Sequence, residues 1–323
     1  MLDYINKVIS GIEPNVQMLL CIVFGVLLFS SVVASVLTWK FKNEKNQDTF
    51  TNLNQRINSW WMMMLVFFTF FFLGYNALII LFGLISFFCF REFISINETK
   101  NGDTKVLTVS FFIVLPLQFY FIWNNWYGMV AIFIPVYAFL ILPAIAALHG
   151  QVDKFLERTS MIQWGLMICV YCVSCVPAML LLNLKDFTGN NALLMIFFLI
   201  VVQISDVMQY VFGKLFGKHK IAPVVSPSKT VEGLVGGGLA AILIGGALHW
   251  LTPFGMWYAM LMSSVIVVMG FLGGLILSAV KRSIGVKDWG TLIKGHGGVL
   301  DRMDSVCFAA PIFFHLTRYF FSA

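Results

Sequence analysis

NALLMIFFLIVVQISDVMQYVF, residues 191–212, decides the class of fold. A helix needs about 20 apolar residues to cross a bilayer core, and this stretch supplies that length with one formal charge, Asp206. Working outward from it, similar stretches run from Val16 to Trp39, Trp60 to Leu73, Ala77 to Phe90, Val106 to Trp123, Met129 to Leu148 and Met161 to Leu184. Beyond it they run from Leu234 to Leu251, Gly255 to Leu277 and Ser305 to Phe320. The second and third are short and separated only by Gly74, Tyr75 and Asn76, so they read as a tight helical hairpin or one long tilted helix. Composition agrees with a membrane protein. Charged residues make up 11% of the chain and hydrophobic residues 59%, with a mean hydropathy of +0.88, whereas a soluble domain carries about 25% charged residues. The expected fold is an all-α polytopic membrane protein of about ten transmembrane helices, with polar loops carrying the chemistry.

Basic residues test that count, because they concentrate in cytoplasmic loops. The loops after spans one, three, five, seven and nine hold Lys40, Lys42, Lys45 and Arg56; Arg91, Lys100 and Lys105; Lys154 and Arg158; Lys214, Lys218, Lys220 and Lys229; and Lys281, Arg282, Lys287, Lys294 and Arg302. Only Lys7, Lys185 and Arg318 fall on the other side. Both termini are therefore expected outside the cytoplasm, and merging spans two and three would destroy the asymmetry. MLDYINKVISGIEPNV, the first sixteen residues, lacks the basic start and small-residue cleavage site of a secretory signal, so the first apolar stretch is expected to remain as an anchor.

All six cysteines lie in apolar stretches, where a thiol behaves as a small hydrophobe. Cys169, Cys172 and Cys175 have a C-x2-C-x2-C spacing, but no fourth cysteine is near enough to complete an iron–sulfur ligand set, so packing is expected. The glycines between Gly233 and Gly274 read, within spans, as places of close helix packing.

Two loops stand apart from the rest. The first, DVMQYVFGKLFGKHKIAPVVSPSKTVE, runs from Asp206 to Glu232, and the second, SAVKRSIGVKDWGTLIKGHGGVLDRMD, from Ser278 to Asp304. Asp206 interrupts an apolar span, and an ionisable group at membrane depth is costly unless paired or hydrated, which marks it as functional. Ser226, Lys229 and Thr230 place hydroxyls and an ammonium beside Pro227, a set suited to phosphate oxygens or, more plainly, to anionic lipid headgroups. In the second loop Lys281, Arg282, Lys287 and Lys294 supply positive charge, while His296, Gly297 and Gly298 let backbone approach a ligand. Asp301 and Asp304 are spaced to share a helix face. They could hold Mg²⁺ through oxygen ligands with substrate phosphates completing the shell, or simply form local helix ion pairs around Arg302.

The segment S-A-V-K-R-x4-K-D-W-G-T-L-I-K-G-H-G-G-V-L-D-R-M-D resembles the C-terminal motif of the CDP-diacylglycerol synthases, or phosphatidate cytidylyltransferases. Asp206, Tyr210, Gly213, Gly217, Lys218, Pro223, Ser226, Pro227, Lys229, Thr230, Glu232 and Gly233 resemble the family's second stretch, and weaker similarity reaches back to Arg56–Glu92. The resemblance implies that residues 56–323 form a cytidylyltransferase-like membrane domain, with residues 1–55 as an extra anchor and cytoplasmic loop. It implies attack of a phosphatidate oxygen on the α-phosphorus of CTP, with Mg²⁺ and room for a second, monovalent cation. Asp301 and Asp304 would bind the metal, with Asp206 and Asp288 supporting. Lys229, Lys281, Arg282 and Lys287 would bind phosphates, Ser226 and Thr230 would contact substrate, and His296 would position a phosphate. Partners implied are CTP, phosphatidic acid and membrane lipids, without nucleic acid and with room for a homodimer. The place implied is the bacterial cytoplasmic membrane with the site facing the cytoplasm. One step departs from the pattern: the sequence reads Gly273, Gly274, Leu275 where relatives carry Gly-Asp-Leu with a metal-binding aspartate.

The charge asymmetry generates a topological prediction. Cysteines introduced as Lys45→Cys, Lys100→Cys, Lys220→Cys and Lys294→Cys should be labelled by an impermeant reagent only from the cytoplasm, and Lys7→Cys and Lys185→Cys only from outside. Mixed labelling within either set overturns the ten-span arrangement.

Overall fold

A computed structural model describes residues 14–40, 47–97, 101–148, 150, 152–184, 187, 191–293 and 297–322. Helices stand at each expected place: α1 (Pro14–Lys40), α2 (Gln47–Phe72), α3 (Tyr75–Ser95), α4 (Thr104–Trp123), α5 (Tyr127–Leu148), α6 (Phe155–Leu181), α7 (Asn191–Phe216), α8 (Gly233–Ala247), α9 (Met256–Ser283) and α10 (Leu300–Phe321). Six of them, α3 to α7 and α9, are long and apolar enough to cross a membrane; the apolar parts of α2 and α8 are shorter. The chain is an all-α polytopic membrane protein whose one sheet, among the described residues, is a short antiparallel hairpin of β1 (Lys220–Ala222) and β2 (Ser226–Thr230). Helices α2 and α3 are separate, because the chain passes through Gly74 at a φ of 96° before α3 begins. Glycine reaches that conformation without a Cβ clash.

The chain divides into two compact units, residues 1–72 with 291–297, and residues 73–290 with 298–323. In the first, the Trp61 indole donates to the Ser31 hydroxyl at 3.0 Å and Phe24 packs against the rings of Trp61 and Phe68, so α1 and α2 are pinned together. In the second, α6 lies inside, with 78% of its apolar window buried against 22% for α5. Phe197 and Phe198 of α7 meet Phe313 of α10 at its centre. The outward faces carry Phe112, Leu140, Leu239 and Leu243, all more than half exposed. A water-soluble protein does not leave so many large apolar side chains uncovered. Cys89, Cys169, Cys172, Cys175 and Cys307 are buried, as suits thiols that pack as small hydrophobes.

Among the described residues four helices contain a π turn: Ser110–Val114, Phe133–Ala138, Met167–Cys172 and Gly233–Gly237. Pro135 lies within the second and Pro116 just after the first, where a ring without an N–H disturbs the i to i−4 ladder. In α8 the glycines serve a different purpose. A Cβ at Gly237 would fall 2.4 Å from Gln209 N, and one at Gly233 3.0 Å from Gly213 Cα, so α7 and α8 touch backbone to backbone. Small residues are what permit such an approach.

At the starts of α4 and α6 the buried Arg158 guanidinium grips Asp103 with Nε and Nη2, and its Nη1 donates to Asp153 O at 3.0 Å. Removing one member of a buried pair strands the other charge, at a cost of about 3–5 kcal/mol. Asp103→Asn and Arg158→Met should each lower Tm in detergent sharply, and the double variant should lose less than the sum; additive losses would mean that the two charges do not depend on one another.

Candidate active site

Two carboxylates from distant helices are brought together by one serine. Asp206, three turns from the end of α7, accepts the Ser305 hydroxyl at 3.0 Å, and the Ser305 N–H donates to Asp304 Oδ1 at 2.8 Å. Ser305 is buried, whereas Asp206 stays exposed and Asp304 partly so, so the two acids are held on a buried serine and remain open to an approaching group. That arrangement depends on glycines in α9. A Cβ at Gly273 would lie 2.5 Å from Asp304 O, and one at Gly270 3.4 Å from Ser305 Cβ, so α9 and α10 pack closely behind the two acids.

A cation faces them. Lys229 of β2 donates from Nζ to Phe271 O at 3.0 Å and lies over the Phe271 ring, 4.6 Å from its centroid. A Cβ at Gly274 would be 2.8 Å from this Nζ and 3.7 Å from Asp304 Oδ2. The ammonium therefore occupies the room that Gly274 leaves, next to Asp304. Burial lowers the pKa of Lys229, and the charges of Asp304 and Asp206 work against that shift. The hairpin carrying the lysine is itself fixed: Glu232 accepts the N–H groups of Lys218 and His219 and the His219 ring at 2.6 Å, contacts that hold its carboxyl down to about 2, with the ring contact foremost. Thr230 is buried, its hydroxyl accepting the Gly233 N–H at 3.1 Å and packed against Gly213 and Gly217. Its hydroxyl thus serves the start of α8.

Asp301 and Lys281, expected at metal and phosphate, are paired with each other at 2.6 Å and buried. The other Asp301 oxygen accepts the N–H groups of Trp289 and Gly298 at 2.8 and 2.9 Å. A carboxylate taking up an ammonium and two amides organises a loop. Next to it, Glu92 of α3 accepts the Val299 and Leu300 N–H groups, each at 2.9 Å. A Cβ at Gly298 would fall 2.4 Å from Glu92 Oε2 and one at Gly290 2.9 Å from Oε1. The close approach that Gly298 permits is thus an approach by Glu92.

Ser226 is part-buried on β2, Arg282 is exposed in the last turn of α9, and Lys287 and Asp288 are exposed after it. His296 and Lys294 lie outside the described residues. Sequence reading missed Ser305, for which a lone serine in an apolar span gives no signal. It also missed Glu92, whose signal is a carboxylate following Arg91 at the end of an apolar run. Among the described residues no three or more His, Cys, Asp and Glu side chains are grouped to hold a metal. Two carboxylates still suit Mg²⁺, which uses one or two protein carboxylates and fills its shell with water and substrate phosphates.

Residues 54–320 match the cytidylyltransferase family. The chain belongs to that family. An uncharacterized Escherichia coli protein, YnbB, is 35% identical over 93% of this chain and 97% of its own length. The phosphatidate cytidylyltransferase of Staphylococcus haemolyticus is 41% identical over 35% of this chain and 44% of its own, and that of Staphylococcus epidermidis 43% identical over 36% and 46%. The match to these named enzymes thus spans less than half of their length. In this cytidylyltransferase-family chain the acids, the lysine and the glycine-lined wall all fall inside the matched residues.

The glycine pair in α9 separates two kinds of crowding. Gly274→Ala meets the far end of a flexible lysine, so Tm should hold to within a few degrees while Lys229 shifts. Gly273→Ala meets the Asp304 backbone and should destabilise strongly, in the manner of overpacking, at about 1–3 kcal/mol or more. Equal Tm losses in thermal melts would place both Cα–Cβ vectors against rigid atoms, contrary to this geometry.

Proposed function

We propose that this chain is a phosphatidate cytidylyltransferase, joining CTP to phosphatidic acid to give CDP-diacylglycerol and pyrophosphate. The reading rests on one observation above others: Asp206 and Asp304 are linked through Ser305 with the Lys229 ammonium beside them, at the polar end of apolar helices. A phosphate monoester is already anionic near neutral pH, so the chain need not remove a proton from it. The difficulty is to bring two polyanions together and release a third.

The lipid phosphate oxygen forms a bond to the α-phosphorus as the bond to the β-phosphate bridging oxygen breaks, and the electron pair leaves with pyrophosphate. Asp206 and Asp304 would hold Mg²⁺, with Asp288 and a monovalent cation as supplements. The ion supplies charge neutralisation and alignment of phosphate oxygens. Lys229, Arg282 and Lys287 would bind phosphates, Ser226 would contact substrate, and His296 would position a phosphate. Asp301 and Lys281 hold the turn that presents Asp304. Diacyl tails reach the site sideways between the apolar helices. Ten crossings would place these loops in the cytoplasm, beneath the bacterial cytoplasmic membrane.

A second reading is favoured by the Lys229 ammonium in the Gly274 space, which offsets acid charge that a metal would otherwise use. There the chain binds lipid phosphate, or acts on another lipid phosphate such as an ether lipid. Purified protein with Mg²⁺, phosphatidic acid and labelled CTP separates them. The wild type should transfer label into lipid, and Asp304→Asn should reduce the rate by about a hundredfold or more, the scale of losing one electrostatic contact to the transition state. Gly274→Asp should lower the Mg²⁺ needed for half-maximal rate, because an added carboxylate joins the pair. A wild type that binds phosphatidate vesicles yet stays silent at every Mg²⁺ concentration rejects the enzyme reading.

A further inference from the structure

The Glu92 carboxylate lies 207 and 208 residues from its partners Val299 and Leu300. Val299, at the start of α10, has no side-chain oxygen with which to cap the helix. The usual local cap is a Ser, Thr, Asn or Asp at that position, and here the cap is delivered from α3 instead. Both oxygens of Glu92 are used, one on Val299 N–H and one on Leu300 N–H. Room for them exists because Gly290 and Gly298 lack a Cβ. Gly298 also donates its own N–H to Asp301, so two carboxylates hold the same short turn. Asp304 follows within the next turn of α10, with Ser305 after it. A shift in that first turn would therefore move the acid that meets Asp206.

We propose that Glu92 is a positioning residue for nucleotidyl transfer, fixing the first turn of α10 so that Asp304 is set against Asp206 without itself touching substrate. The proposal deepens the cytidylyltransferase reading and rests on it for its kinetic arm. Two amide N–H groups face two carboxylate oxygens, so an amide side chain of the same size must turn its NH2 toward one of those donors. Glu92→Gln thus loses one acceptor while keeping volume. Gly290→Ala leaves Glu92 in place chemically but pushes on Oε1, and serves where Glu92→Gln fails to fold.

The test joins steady-state kinetics with hydrogen exchange of the 298–304 backbone and thermal melts on the full chain in detergent. Glu92→Gln and Gly290→Ala should lower kcat by about tenfold to a hundredfold, the scale of small misplacements in a site. KM for CTP should stay within about twofold, as expected when an interaction made only in the transition state is weakened. Exchange at 298–304 should quicken in both variants while that of α6 is unchanged. A purely structural cap would lower Tm and leave the kcat of the folded fraction intact, and that result overturns the proposal. So does unchanged exchange at 298–304. If the wild type shows no CTP transfer, the cytidylyltransferase reading fails by itself, and the exchange arm still decides whether Glu92 fixes the turn.

Discussion

The buried pair of Lys281 and Asp301 is the contact on which the rest of the site hangs. It joins the end of α9 to the start of α10, and Asp301 then gathers the Trp289 and Gly298 amides around its second oxygen. Taking both charges out of water is expensive, and their attraction repays it only when the remaining lone pairs are also used. Here they are, by backbone. The pair therefore gives little net stability but specifies one arrangement, in which the end of α9 is held to the start of α10 through the Trp289 and Gly298 amides. Asp304 comes within a turn of Asp301, so the geometry of the acid pair inherits that specification.

Much of this molecule was legible in its sequence because membrane helices advertise themselves locally. A run such as Asn191–Phe216 is readable from its own residues, since every backbone polar group in lipid must be bonded within the helix. The same locality made Asp206 stand out and put Lys229 and Asp304 among the residues of interest. What could not be read was the division of labour among similar charges. Asp301 and Asp304 share a face by spacing, yet one is taken up by a lysine and two amides while the other meets the Ser305 amide. Thr230 and Gly298 fit a phosphate-binding pattern, but their neighbours are Gly233 and Glu92. Those partners arrive from other helices, and no periodicity in the chain announces them. The π turns escaped notice for a related reason: one additional residue in a turn leaves hydropathy unchanged.

Lys229 shows how a missing side chain can be answered by a neighbour. The Gly273, Gly274 and Leu275 step leaves α9 smooth at the point nearest Asp304, and the lysine ammonium fills the gap, bonded to Phe271 O and resting on the Phe271 ring. The ring face and the carbonyl both favour a cation. The ammonium is thus held by two contacts in one place, and less ordering would remain for any anion that meets it.

The six free thiols have a practical meaning for anyone who handles the protein. Five of them are enclosed by packed helices, and Cys21 alone opens outward, in an apolar helix whose natural surroundings would be acyl chains. Toward water-borne alkylating reagents the native chain should be close to silent, so a spectroscopic probe attached to an introduced cysteine would report from one known place without the native thiols first being replaced.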